Sequence, residues 1–215
     1  MKLPWRQPDR GLTGRQSGAR GGETPAQASP GLSRALERIL KLEQPRILDL
    51  GPLCGDTAVR LAGRGARVSV ESFEGPPPPP PAVDGEEPPP PPPIRLDQEG
   101  GQFHLVLVWE HVDFVPPERL REFGAELRRI LAPGGYALIF ARNTPAGEDP
   151  EQARPGRFRV LDDERLLREA TPGPACPRFV HPTREIERSL APLSIQSLHL
   201  QRNQTREFLA RRKPD

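Results

Sequence analysis

The stretch RILDLGPLCGD, residues 46–56, joins a short apolar run to a turn that carries Gly51 and Gly55. Glycine lets backbone approach a ligand closely, and a helix starting at Asp56 would present unpaired N–H groups with partial positive charge. Together these are the means of holding a nucleotide-type cofactor. Glu71 lies 22 residues after Asp49, at the end of the next apolar run. A carboxylate there can accept hydrogen bonds from both hydroxyls of a ribose, as in dinucleotide sites. One position departs from such a turn: Leu53 stands where a middle glycine is expected, and Pro52 removes a backbone donor. A non-glycine residue resists positive φ. A turn that takes negative φ instead loses about 1–2 kcal/mol, which weakens binding without abolishing it. The turn therefore reads as a variant pocket, with a defective pocket as the rival.

The elements that position these residues follow from periodicity. Ser29 can cap a helix that starts on Pro30. Leu32, Ala35, Leu36, Ile39 and Leu40 then share one helix face, and Pro45 stops it. Residues 46–50 and 67–71 read as strands, with a helix over 56–62 between them that Gly63 and Gly65 end. A short strand is expected over 94–97, then a buried one over 103–109, FHLVLVW. A helix starting near Pro116-Pro117 carries Leu120, Phe123, Leu127, Ile130 and Leu131, and Pro133-Gly134-Gly135 ends it before a strand over 136–141. Residues 158–169 suit a hairpin around Asp162-Asp163 or a strand followed by a helix, the hairpin being preferred. A short helix over 183–190 and a hairpin of 194–201 with 205–211 complete the chain. Strands alternating with helices predict an α/β fold: a Rossmann-like, doubly wound, mostly parallel sheet with a C-terminal antiparallel hairpin.

The chain has 215 residues, 30 of them Pro and 20 Gly, so much of it lies outside a packed core and one domain is expected. Residues 1–28 read as a disordered N-terminal segment, and 29–215 as the domain, with a Pro-rich insert at 75–93 and a C-terminal substrate-side region at 143–215. The polyproline runs 76–81 and 88–93 cannot enter a sheet ladder. They read as an exposed spacer, with docking to an aromatic groove as the alternative. A net charge of +2 argues for neither nucleic acid nor membrane, and no apolar run approaches the length of a membrane span. Cys54 and Cys176 form no metal-ligand spacing, so no metal is expected. Free thiols and the absence of a secretory pattern lead to a cytoplasmic expectation.

The order of elements, together with the block FHLVLVWEHVDFVPPERLREFGAELRRILAPGGYALIF at 103–140, resembles the class I methyltransferases that use S-adenosyl-L-methionine. The resemblance covers roughly residues 30–142, and its most specific feature is the Leu-Ala-Pro-Gly-Gly helix ending. It implies cofactor contacts at Asp49, Gly51, Leu53, Gly55, Glu71, Asp97, Gln98 and Trp109. Asp49 would orient the turn and the amino-acid part of the cofactor, and Asp97 would lie near the adenine amine. Trp109-Glu110 would face cofactor and substrate. The ordinary alternatives are a polar strand end for Asp49, a solvated acid for Glu71 and a turn start for Asp97. The resemblance implies methyl transfer to a small molecule or protein. It assigns no catalytic base and no oligomeric state. A catalytically inactive regulatory protein on the same scaffold is the competing reading.

His104 is expected to point away from the pocket or to pack at the strand start. His111 could act as a base in the cleft, a surface histidine being preferred. Cys54 reads as packing. Arg202, Arg206, Arg211, Arg212 and Lys213 could contact nucleic acid, although a solvated basic tail is the preferred reading. The segment holding His181 and Arg184 is expected, with 157–169, to cover the substrate opening.

Overall fold

A computed structural model describes residues 25–73, 75–76, 89–144, 154–173, 175–191 and 193–214. The elements are β1 (Gln27–Ala28), α1 (Pro30–Ile39), β2 (Arg46–Asp49), α2 (Gly55–Gly63), β3 (Arg67–Val70), β4 (Phe103–Trp109), α3 (Leu120–Ile130), β5 (Leu131–Arg142), β6 (Arg157–Val160), β7 (Arg165–Glu169), α4 (Thr183–Ser189), β8 (Ser194–Leu200) and β9 (Thr205–Arg211). The main sheet has the order β3-β2-β4-β5-β9-β8, in which β3, β2, β4 and β5 are parallel. β9 runs antiparallel to both β5 and β8. This is the doubly wound α/β sheet with a terminal antiparallel hairpin that the sequence predicts. A second, three-stranded sheet of order β1-β7-β6 stands apart from it.

Each face of the main sheet carries helices. Leu32, Ala35, Leu36 and Ile39 of α1 and Leu61 of α2 pack with Ile47, Leu105, Leu107 and Leu138 on one face. Phe123, Leu127 and Ile130 of α3 and Ile186 of α4 pack with Leu48, Val106, Val108 and Ile139 on the other. Burial on both faces explains why β4 and β5 are nearly continuous apolar runs. α1 starts as expected, with Pro30 in its first turn and the Ser29 hydroxyl accepting the Leu32 N–H at 3.3 Å. β9 is interior, so its Arg206 and Glu207 are buried. Glu207 accepts the Gly31 N–H at the head of α1 and the Gln201 amide. Arg206 donates to the carbonyls of Arg142 and His181 and to the Thr183 hydroxyl. Arg206 therefore does not belong to a solvated basic tail.

Three expectations are corrected. Residues 94–97 form no strand. Their backbone is held by side chains of α3: Glu122 accepts the Ile94 N–H, Glu126 accepts the Leu96 N–H, and Arg129 donates to the Leu96 and Gln98 carbonyls. With these partners the segment needs no ladder. Second, α3 ends at Ile130, and β5 starts at Leu131, which pairs with Phe103 ahead of a register shift. Pro133-Gly134 thus lies inside a bulged strand, and Gly134 has φ +77°. Third, Gln27 and Ala28 at the end of the expected disordered segment pair with Leu166 and Arg165. Residues 1–24 and most of the Pro-rich insert, 77–88, lie outside the described residues. The hairpin reading of 158–169 is borne out by β6 and β7. Among the described residues no helix is long and apolar enough to cross a membrane.

Candidate functional site

After β2 the chain runs through α2 to β3 on one side, whereas after β4 it runs through α3 to β5 on the other. The carboxyl ends of β2 and β4 therefore flank a topological switch point, where open α/β sheets bind ligands. The residues expected to bind cofactor divide there into two groups.

The first group lies on the β3 side. The Glu71 carboxylate accepts the Asp97 backbone N–H at 2.9 Å and the Gln98 side-chain amide at 2.9 Å. Glu71 itself extends the ladder beyond β3 through its N–H to the Asp49 carbonyl. Glu71 and Gln98 are partly exposed and Asp97 is exposed. Glu71 and the adjacent pair Asp97-Gln98, distant from it in sequence, are brought together, because Arg129 fixes the Gln98 carbonyl from α3.

The second group lies between β2 and β4 and is closed. Trp109 is buried, with its Nε1–H donating to Asp49 Oδ1 at 2.6 Å. The same oxygen accepts the Gly51 N–H at 2.9 Å. The indole stacks on Phe158 of β6, centroids 4.8 Å apart and planes 9° apart, and meets Phe140 at 5.9 Å. Trp109 holds φ at +52°, an uncommon value for a non-glycine residue that re-aims the side chain at the end of β4. The expectation that Trp109 faces cofactor and substrate is thereby corrected: the indole faces Asp49 and the hairpin. Burial raises the Asp49 pKa, opposed by the bonds from Trp109 and Gly51.

The glycines also differ in role. A Cβ on Gly51 would lie 2.9 Å from Trp109 Cδ1, so Gly51 is required by the indole. Gly55 faces open space and begins α2. A cavity of about 250 Å³ opens there, lined by Cys54, Gly55, Asp56, Arg157, Arg159 and Glu169. Leu53 is 62% exposed and takes no positive φ, so it does not fill the switch-point crevice and the turn forms without a third glycine. Cys54 is buried, and among the described residues neither it nor Cys176 is in a disulfide.

Beyond β4 the chain covers its own strand end with charge. Glu110 is buried between Arg142 at 3.1 Å and Arg168 of β7 at 2.8 Å. Burial pushes the Glu110 carboxyl upward, but Arg168, Arg142 and Arg178 outweigh it, and the net pKa is lowered. Asp113 pairs with Arg178 and accepts the Arg142 N–H; burial still carries its pKa up to about 6. His111 is buried rather than on the surface, its ring 5.8 Å from that of Phe73. Burial lowers its pKa to about 4, so it is neutral near pH 7. Neither ring nitrogen has a hydrogen-bond partner among the described residues. His181 is buried, with Nε2–H donating to the Val112 carbonyl at 3.1 Å, and Arg184 is exposed on α4. The Phe179 N–H reaches the Asp113 carbonyl at 2.7 Å. The segment around His181 and the β6–β7 hairpin thus cover the end of β4.

His104 lies at the other end of β4, where its Nδ1 accepts the Arg46 N–H at 3.0 Å, away from the switch point as expected. The sequence reading missed Phe158, Arg168 and Arg178, which close the β4 end, and Glu122, Glu126 and Arg129, which hold the 94–98 segment. Only the spacing of Glu126 and Arg129 on one helix was visible, and that spacing also describes an ordinary solvated pair.

No protein-family model matches the sequence, and no curated protein matches it. Solved structures do. The 1,6-didemethyltoxoflavin-N1-methyltransferase of Burkholderia thailandensis, solved with 1,6-didemethyltoxoflavin and S-adenosylhomocysteine, is 18% identical over 86% of this chain and 79% of its own, with a TM-score of 0.46. An S-adenosylmethionine dependent methyltransferase of Mesorhizobium loti is 13% identical over 85% and 96%, with a TM-score of 0.46. The [4+2]-cyclase SpnF is 12% identical over 86% and 80%, with a TM-score of 0.47. In structure the chain is similar to S-adenosylmethionine-dependent methyltransferases, and also to a cyclase.

Proposed function

We propose that this protein binds S-adenosyl-L-methionine and transfers its methyl group to a small molecule or a protein. The observation that carries the reading is the convergence of Glu71, Asp97 and Gln98 beside the switch point. Their donor and acceptor set fits an adenosyl group. The Glu71 carboxylate can exchange its present partners for ribose hydroxyls, while Asp97 and Gln98 can meet the polar edge of the base. Gly55 leaves open space before the head of α2, the helix that follows β2. When bound, the cofactor supplies an already activated methyl group, so the protein must chiefly align the partners and exclude water. The β6–β7 hairpin suits that second task, because Phe158 and Arg168 anchor it to the end of β4. The covered strand end suggests an acceptor that enters along the hairpin. A cytoplasmic location and independence of nucleic acid and membranes belong to the same proposal.

A specific observation favours the second reading, a catalytically inactive scaffold: Trp109 fills the corner over Asp49 and Gly51. Titration calorimetry with S-adenosylhomocysteine separates the two. Saturable binding that Glu71→Gln weakens supports the first. A folded protein that shows no heat at millimolar ligand removes it and leaves the second.

A further inference from the structure

The amino ends of the parallel strands carry a second concavity, on the opposite edge of the sheet from the switch point. It is an open concavity of about 600 Å³, a volume typical of small-molecule sites. Arg34 and Arg38 enter it from α1, Arg211 from the end of β9, and His104 from the start of β4. Among the described residues no acidic one lines it. No carboxylate among the described residues pairs with Arg34, Arg38 or Arg211.

This is an unusual concentration of uncompensated charge in a chain whose net charge is only +2. Arg34 and Arg38 are four residues apart on one helix face, where like charges repel. Arg38 gains from its place in the last turn of α1; Arg34, a turn earlier, gains nothing comparable. Arg211 is fixed in place: its Nε–H donates to the Gly134 carbonyl at 3.1 Å, and its guanidinium lies 5.3 Å from the centre of the Tyr136 ring. Its other nitrogens remain available to a ligand. Among the described residues Arg34 reaches only the Gln196 carbonyl, at 3.5 Å. His104 accepts the Arg46 N–H on Nδ1, so its ring proton sits on Nε2 as a further donor. Burial and Arg46 lower its pKa, so it adds a neutral donor to three permanent cations.

Guanidinium groups match phosphate oxygens in pairs. We propose that this cavity binds a small phosphorylated ligand through a pyrophosphate-type group, held by Arg34, Arg38 and Arg211 with a hydrogen bond from His104. A concavity lined from α1, β4, β5 and β9 suits a small molecule better than a nucleic-acid strand, which would need a continuous track. The site does not depend on the adenosyl reading, because it shares no residue with it.

The test uses the full chain and inorganic pyrophosphate. Calorimetry should show one saturable site whose affinity falls roughly a hundredfold in the Arg34→Gln/Arg38→Gln double variant. Both residues are exposed, so the variant should keep the wild-type melting temperature. Glu71→Gln should bind pyrophosphate as the wild type does. Equal affinity in wild type and double variant, or no binding at millimolar pyrophosphate, would overturn the proposal. So would a short RNA that binds through the same two arginines and displaces pyrophosphate, since that would assign them to a nucleic-acid footprint.

Discussion

The two sides of the switch point are made of opposite materials. On the β3 side, Glu71, Asp97 and Gln98 meet through exposed or partly exposed hydrogen bonds that a ligand can exchange. On the β4 side, buried Trp109, Asp49, Phe158 and Glu110 are held by a ring stack, a side-chain hydrogen bond and an ion pair to partly buried Arg168. A bond shared with water contributes little to folding, whereas a buried one is costly to break. The β3 side is thus free to serve a ligand, and the β4 side is committed to stability. Substitutions on the two sides should fail in different assays.

The largest effect is expected at Trp109. Trp109→Ala removes a stacked indole and leaves buried Asp49 without its donor, and should cost about 3–5 kcal/mol in urea unfolding. If instead it leaves stability intact and strengthens S-adenosylhomocysteine binding, the closed side is a gate rather than a support. Next is Glu110→Gln, which leaves Arg142 and Arg168 facing a neutral amide and should cost about 3 kcal/mol in the same assay.

Acid stability reads the closed side through two opposing groups. His111 has a folded pKa of about 4, below its unfolded value, so its contribution is complete above the unfolded value of 6.5 and is lost as pH falls towards 4. Asp113 has a folded pKa of about 6, above its unfolded value, so its contribution is complete below 3.8 and is lost as pH rises towards 6. In the wild type the two slopes oppose each other. His111→Leu should expose the Asp113 slope, with stability falling by up to about 3 kcal/mol from pH 4 to pH 6 in urea melts. A rise over that range in the variant would contradict the burial of Asp113.

Glu71→Gln should weaken S-adenosylhomocysteine about tenfold, near 1.4 kcal/mol, with stability changed by less than about 0.5 kcal/mol. The reverse pattern would make Glu71 a structural residue. The smallest effect is expected at Leu53. Because it is exposed and at negative φ, Leu53→Ala should shift stability by less than about 0.5 kcal/mol and affinity by less than about threefold. A larger loss of affinity would show that the leucine touches the ligand.

Much of the fold was legible because its signals are local. The face Leu32-Ala35-Leu36-Ile39 and the run FHLVLVW define their elements whatever surrounds them. Residues 94–97 misled for the opposite reason: their apolar Ile94 and Leu96 are buried as in a strand, but their backbone partners are carboxylates of α3. The start of β5 was hidden by Pro133-Gly134, which reads as a stop and acts as a bulge. Of the site, the acids at strand ends were visible because the ends were. The direction of each side chain was not.

By itself the sequence determined most of the succession of strands and helices, and with it the placing of Asp49 and Glu71 near one edge of a sheet. Apolar period and turn chemistry act over a few residues, so they survive without a partner. The tertiary structure alone decided that Glu71 would meet Gln98, that Trp109 would turn onto Asp49, and that Arg34, Arg38 and Arg211 would share a cavity. Those meetings depend on which distant segment packs against a given side chain, and no local pattern encodes that choice.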